Sequence, residues 1–311
     1  MHKLILYPFL FLLSLSALEE EELNWDDGGP SALEFNAQLQ KAIDKGDWWA
    51  AIDYAEIISY HFPESPFAQD TAFLIGEAYY RMGQLELANE RFTVYLNHSA
   101  SPKHFDEAIH YKFTIAESFR QGVKKPLFGN HKMPKWESGE EVALTIYDDV
   151  IAALPHDDMA ARALLGKAEI QMRFEDYKPS LETLDLLIRR FPKHDLAAQG
   201  FLEKSHAYLM QCRDKSLDPT LLDLAEVNIR KFRLAFPREE RIAEAEKDFA
   251  EMQEIFAGQL MEIGRFFQKT KKTPASLIYY EKVLSKYPDT QAALEAKERL
   301  DELQPASVDS D

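Results

Sequence analysis

Apolar residues recur at three- and four-residue intervals along nearly the whole chain, the spacing of a helix face turned to a core. The pattern is broken at regular places: "YHFPESP" around Pro63, "ALPHDDM" around Pro155, "RFPKHDL" around Pro192, "AFPREER" around Pro237 and "KYPDTQA" around Pro288. Each break sets an apolar residue, a proline and a polar turn after a helical stretch. Proline cannot continue a helix and drives the residue before it out of the α region, so each break is a helix stop. A new amphipathic stretch follows every stop. No segment sustains a two-residue alternation, so no sheet is expected. Punctuation repeated this often is an internal repeat, and the chain is predicted to be all-α, with about six helix pairs.

Small residues sharpen the picture. "LIGEAYYRMGQLELANERF" runs from Leu74 to Phe92 and places Gly76 inside a helix, where glycine costs about 1 kcal/mol relative to alanine. In a tetratricopeptide repeat two helices cross closely within about 34 residues, and small residues sit where the backbones nearly touch. Gly76 and Tyr79 on the first helix, Gly83 at the turn, then Ala88 and Phe92 on the second fit that pattern. The other units fit it more loosely. The first has Gly46, Trp48, Ala51 and Pro63; the third has Ala116, Phe119, Ala143, Tyr147 and Pro155. The fourth runs through Gly166 or Ala168, Tyr177, Ser180 and Pro192, the fifth through Tyr208, Ala225 and Pro237, and the last through Gly264, Phe267, Ser276, Tyr280 and Pro288. Stacked pairs bury a continuous core that no single pair could, here expected as a right-handed superhelical α-solenoid.

Composition agrees with a folded protein: 46% of the 311 residues are hydrophobic and 29% charged. The 53 acidic residues against 36 basic ones leave a formal net charge of −17. Nucleic acid as a ligand needs a basic footprint, so it is not expected. The single cysteine, Cys212, allows neither an intrachain disulfide nor a cysteine-based zinc cluster and reads as a small core residue.

The two ends carry no repeat. "MHKLILYPFLFLLSLSA" has a basic start, an apolar run and small residues near Ala17, the layout of a secretory signal peptide over residues 1–17. An acidic linker follows over 18–31, the repeat solenoid spans 32–303, and a polar tail over 304–311 is expected to be disordered. The chain is therefore expected beyond the inner membrane, periplasmic or on the periplasmic face of the outer membrane. "LSAL" at Leu15–Leu18 has the shape of a lipoprotein processing site with Leu18 where a lipidated cysteine would stand.

Candidate chemistry is absent from the pattern. There is no HExxH, GxSxG, GxxxxGK[ST] or GxGxxG. His104 and His110 have the wrong spacing for two ligands on one helix face, and pairs such as Glu140/Glu141 and Asp148/Asp149 point in different directions. No catalytic residue, metal or cofactor is assigned. A solenoid instead offers a groove lined by the first helix of each pair, suited to an extended peptide or a partner's helix. By helical phase the groove positions are Phe73, Glu77, Tyr80 and Arg81 in the second unit, Phe113, Glu117 and Arg120 in the third, and Arg265 in the last. Ordinary solvated faces are the competing explanation for these. A second interaction candidate is the basic, aromatic insertion "QGVKKPLFGNHKMPKWESGE", with Lys124, Lys125, Phe128, Lys132 and Trp136.

The residues also carry a family resemblance. "IDKGDWWAAIDYAEIISYHFPESPFAQDTAFLIGEAYYRMGQLELANERF" resembles the opening repeats of the BamD family, tetratricopeptide components of outer-membrane protein assembly, and "RFFQKTKKTPASLIYYEKVLSKYPDTQAALEAKERL" resembles its closing repeat. The insertion in the third unit sits where that family carries one, and the stretch near Leu165–Pro237 reads as an extra repeat. The resemblance implies a non-enzymatic envelope scaffold that holds a BamA-like barrel-assembly subunit through its C-terminal repeats. Its N-terminal groove would receive unfolded outer-membrane proteins. The family is anchored by a lipidated cysteine, so with Leu18 in that place membrane association is expected through partners. The alternatives are another periplasmic repeat scaffold of the Tol or cell-division-linked kind, or a cell-wall enzyme built on a helical solenoid.

Overall fold

The computed structural model describes residues 30–98, 101–127, 133–213 and 218–303. The expected signal peptide, nearly all of the acidic linker, the 304–311 tail, and Phe128 and Lys132 of the insertion lie outside the described residues.

Helices come in successive pairs. They are α1 (Ala32–Lys45) with α2 (Trp48–His61), α3 (Thr71–Arg81) with α4 (Leu85–His98), and α5 (Phe105–Arg120) with α6 (Glu140–Ala153). Then follow α7 (Asp158–Arg173) with α8 (Tyr177–Arg190), α9 (Asp195–Arg213) with α10 (Thr220–Ala235), and α11 (Arg241–Lys269) with α12 (Thr273–Lys286). A last helix, α13 (Gln291–Leu303), covers the end of the stack by packing on α11 and α12. The fold is all-α and solenoid-like. It divides into two compact units, one reaching Ala108 and one from Ile109 onward.

In the first unit, Phe35 and Leu39 of α1 meet Ala51, Ile52, Ala55 and Ile58 of α2 and Ile75 of α3 in one buried cluster. In the second unit, Phe201 of α9 stacks on Phe232 of α10, with ring centroids 5.2 Å apart, beside Ala245 of α11. Further along, Ala257, Met261, Tyr280, Val283 and Ala293 close the core between α11, α12 and α13. Cys212 is buried with Leu221, Met252 and Phe256 in the cluster between α9, α10 and α11.

The five proline stops work alike. Phe62, Leu154, Phe191, Phe236 and Tyr287 each cap a helix with φ between −123° and −135° and ψ between 51° and 71°. Each still donates its N–H to the carbonyl four residues back. The following proline bars the α region to these residues, so the chain leaves the helix in the same direction every time.

The turns after α1, α3, α7 and α11 also share one geometry. Gly46 and Gly83 have φ of 72° and 69°, and each sits in the same double hydrogen-bonded turn, Gly46 N to Ile43 O with Asp47 N to Ala42 O, and Gly83 N to Tyr80 O with Gln84 N to Tyr79 O. This is the left-handed helix end that glycine adopts without strain. Glu175 and Lys271 occupy the corresponding places after α7 and α11, both at φ 60°.

The insertion corrects one expectation. It is not free of strands: β1 (Lys124–Pro126) and β2 (Lys135–Ser138) pair as an antiparallel hairpin. Strands of three and four residues are too short for alternation to register in the sequence.

Candidate protein-binding faces

Close helix crossings explain the small residues and set which side chains remain for binding. A methyl group added at Gly76 would lie 2.8 Å from the Phe92 ring, and one at Gly264 would lie 2.5 Å from the Tyr280 ring. Ala88, Ala143, Ser180 and Ser276, on the second helices of their pairs, are fully buried. Ser180 donates its hydroxyl to the Ala168 carbonyl at 3.0 Å, which makes Ala168 the crossing position of the fourth pair. Gly166 makes room for the preceding pair instead, since a methyl there would meet the Tyr147 hydroxyl at 2.7 Å.

Among the groove positions expected from the sequence, Phe73 is displaced. It is only 6% exposed, packed on Phe92 and Tyr95 and stacked on His104 at 4.5 Å. The phase that put it in the groove rotates it into the crossing between α3 and α4. Glu77 and Tyr80 are half-buried, and exposed Arg81 pairs with Glu77 at 3.3 Å, one turn apart on α3. Trp49 of α2 has no place in the groove pattern, yet it is largely exposed and edge-on to Tyr79 at 6.4 Å.

In the second unit Glu117 and Arg120 come together as part of a larger network. Arg120 binds Glu117 at 2.6 Å and Glu169 of α7 at 2.6 Å, and the Tyr147 hydroxyl donates to Glu117. Phe113 is half-buried with its ring 6.3 Å from that of Tyr147. Burial pushes the Glu117 carboxyl up, but hydrogen bonds from Arg120 and Tyr147 more than offset it and hold it below the usual range. Burial and the adjacent Glu117 push the Tyr147 hydroxyl well above its ordinary value. Sequence spacing pointed to Glu117 and Arg120, one turn apart on α5. It marked Tyr147 only as a packing position of the third repeat and did not mark Glu169, and both come from other helices.

Further along the same series of first helices, His206 of α9 stands among Glu203, Glu244 and Asp248, with Asp248 of α11 nearest at 3.2 Å. The Glu203 hydrogen bond raises the His206 imidazole above its ordinary value, aided by Asp248. Among the described residues no group of three or more His, Cys, Asp or Glu is placed to hold a metal ion. These first-helix faces carry paired charges with aromatic rings beside them.

Arg265, on the last turns of α11, is bound to Glu262 and to Glu295 of α13. The last three helices also carry exposed apolar and basic residues. Ile263, Phe266, Ile278 and Leu294 are exposed, Phe267 stacks on Tyr279 at 5.5 Å, and Lys272 and Lys282 lie over those two rings. Of this surface the groove pattern in the sequence marks Arg265 alone. In the insertion, Lys124 and Trp136 are exposed, Trp136 at 73%, and Lys125 pairs with Glu137 at 3.6 Å.

The model of the YfiO family, described as outer membrane lipoprotein, matches residues 143–305. The outer membrane protein assembly factor BamD of Rickettsia prowazekii is 25% identical over 146 residues, which cover 47% of this chain and 58% of that protein. The BamD of Caulobacter vibrioides is 23% identical over 158 residues, 51% of this chain and 52% of its own length. The chain thus spans little more than half the length of these curated relatives. A tetratricopeptide repeat protein of Parabacteroides merdae aligns over 88% of this chain and 98% of its own, at 16% identity and a TM-score of 0.35.

Proposed function

Because this chain belongs to the YfiO family of outer membrane lipoproteins, we propose that it is a binding scaffold of outer-membrane protein assembly. It is a non-enzymatic protein. In this reading its C-terminal repeats hold a BamA-like barrel-assembly subunit, and the first helices of the N-terminal repeats receive unfolded outer-membrane proteins. It would act from the periplasmic face of the outer membrane, and no described helix is long and apolar enough to cross a bilayer.

The observation that carries the partner assignment is the surface around Phe266. The family match runs to the end of α13, and that end exposes Ile263, Phe266, Ile278 and Leu294 beside two lysine-capped rings. Large apolar side chains with flanking cations are the composition of an interface centre.

Affinity capture from envelope extracts tests the proposal. The tagged chain is expected to retain a BamA-like subunit, and a Phe266→Asp, Ile278→Asp double variant to lose it with its helical content intact. Recovery of cytosolic proteins alone would overturn the reading, as would undiminished capture by the double variant.

A further inference from the structure

The insertion between α5 and α6 is the one interaction candidate that the family assignment leaves unused. We propose that its hairpin is a docking element for an anionic lipid surface, holding the scaffold against a bilayer in addition to whatever its protein partners contribute. This rests on the proposed placement at an envelope membrane, but not on the identity of the protein partner.

Geometry is the first support. The hairpin register steps from Lys125 opposite Glu137 to Pro126 opposite Lys135, so Trp136 is the extra residue of a bulge. A bulge bends its strand and re-aims the side chain it carries. The result is a tryptophan 73% exposed at a site where Pro126, across the hairpin, is buried. Val123 and Met133 add apolar surface at 44% and 40% exposure, and Lys124 and Lys135 are exposed beside them. These residues stand exposed on a two-stranded hairpin, whereas the apolar anchor of a protein interface usually fills a concave pocket. An aromatic ring with lysines at its flanks is instead the composition found at membrane–water interfaces.

Charge is the second support. The chain as a whole carries −17, so most of its surface is repelled by anionic lipid. From Gln121 to Ser138 the balance reverses, with Lys124, Lys125, Lys132 and Lys135 against the single carboxylate of Glu137. Lys125 is paired with that carboxylate at 3.6 Å, and Lys124 and Lys135 stand exposed on the two strands of the hairpin. Lysines near an anionic surface each strengthen binding about fivefold, an effect that salt screens. The locally basic element is thus the part of this acidic protein able to approach such a surface.

The test is flotation of the full chain with vesicles of phosphatidylcholine mixed with phosphatidylglycerol, against vesicles of phosphatidylcholine alone. Binding to the mixed vesicles that falls in high salt is expected. Trp136→Ala should weaken it about tenfold or more, and Lys124→Glu with Lys135→Glu by about twenty-fold or more. All three residues are exposed, so unchanged circular dichroism and thermal midpoint are expected, and Trp136→Phe, which keeps an aromatic ring, should retain most of the binding. Absence of binding to the mixed vesicles would overturn the proposal, as would equal binding to neutral ones or full binding by these variants. Loss of partner capture by the hairpin variants, with no vesicle binding by the parent chain, would reassign the hairpin to a protein surface. Capture of the barrel-assembly subunit through Phe266 is read separately, so either proposal can fail alone.

Discussion

Two glycines of one helix should respond to the same substitution with opposite signs. Gly258 and Gly264 both lie within α11, and alanine at either removes the helix penalty of glycine, a gain of about 1 kcal/mol. At Gly258 the added methyl would meet nothing within 4 Å, so Gly258→Ala should stabilise the chain by that amount. At Gly264 it would lie 2.5 Å and 2.8 Å from Cε1 and Cδ1 of Tyr280. That ring is fully buried, and its hydroxyl is tied to Gln268 Oε1 at 2.7 Å, so it cannot step aside without losing the bond. Overpacking of this kind costs about 1–3 kcal/mol, and a broken hydrogen bond about 1 kcal/mol more. The propensity gain is common to both variants, so their difference isolates the crossing between α11 and α12. Gly264→Ala should therefore be less stable than Gly258→Ala by about 2–4 kcal/mol. Urea unfolding followed by circular dichroism reads both, with the transition around α11 compared between variants because stacked repeats need not unfold in one step. Equal stability of the two variants would refute the claim that glycine at 264 is there for close approach.

Four further outcomes follow from the structure. Glu175→Gly and Lys271→Gly should each stabilise the chain by about 1 kcal/mol, because both residues hold a left-handed conformation at φ 60° that costs L side chains about 1–2 kcal/mol; a fall in the urea midpoint would contradict this. Tyr147→Phe removes the hydroxyl that Glu117 accepts and should destabilise by about 1–2 kcal/mol in the same assay. The imidazole of His206 is raised in the folded chain, so its stabilisation is complete below the unfolded value near 6.5 and is lost as pH rises through the folded value. His206→Gln should flatten that decline above the ordinary imidazole value, and parallel stability–pH curves for the two proteins would count against the pairing with Glu203 and Asp248. The Cys212 thiol, pushed up to about 11 by burial, should resist alkylation in the native chain at mildly alkaline pH and react on unfolding; prompt native labelling would show that the core around it opens.

The proline stops and the alternating helices were legible because each depends on residues adjacent in sequence. A proline bars the α region to its neighbour whatever surrounds it, and Phe62, Leu154, Phe191, Phe236 and Tyr287 all obey. Gly46 and Gly83 marked their turns for the same local reason, whereas Glu175 and Lys271 left no mark because those turns are imposed by the packing of the helices they join. The hairpin was invisible because two strands this short are defined by each other and by the bulge at Trp136. Helical phase put Phe73 in a groove, but its ring packs into the crossing between α3 and α4, since an angle of a few tens of degrees separates the two.

By itself the sequence determined the helix boundaries, the pairing of neighbouring helices and the small residues that let them touch, since backbone sterics and hydrophobic period act within a few residues. Only the tertiary structure decided that Tyr147 and Glu169 complete the Arg120 network and that aromatic rings gather beside Arg265 at the C-terminal end. Those groups lie on different helices, and the distance between them is set by how the pairs stack.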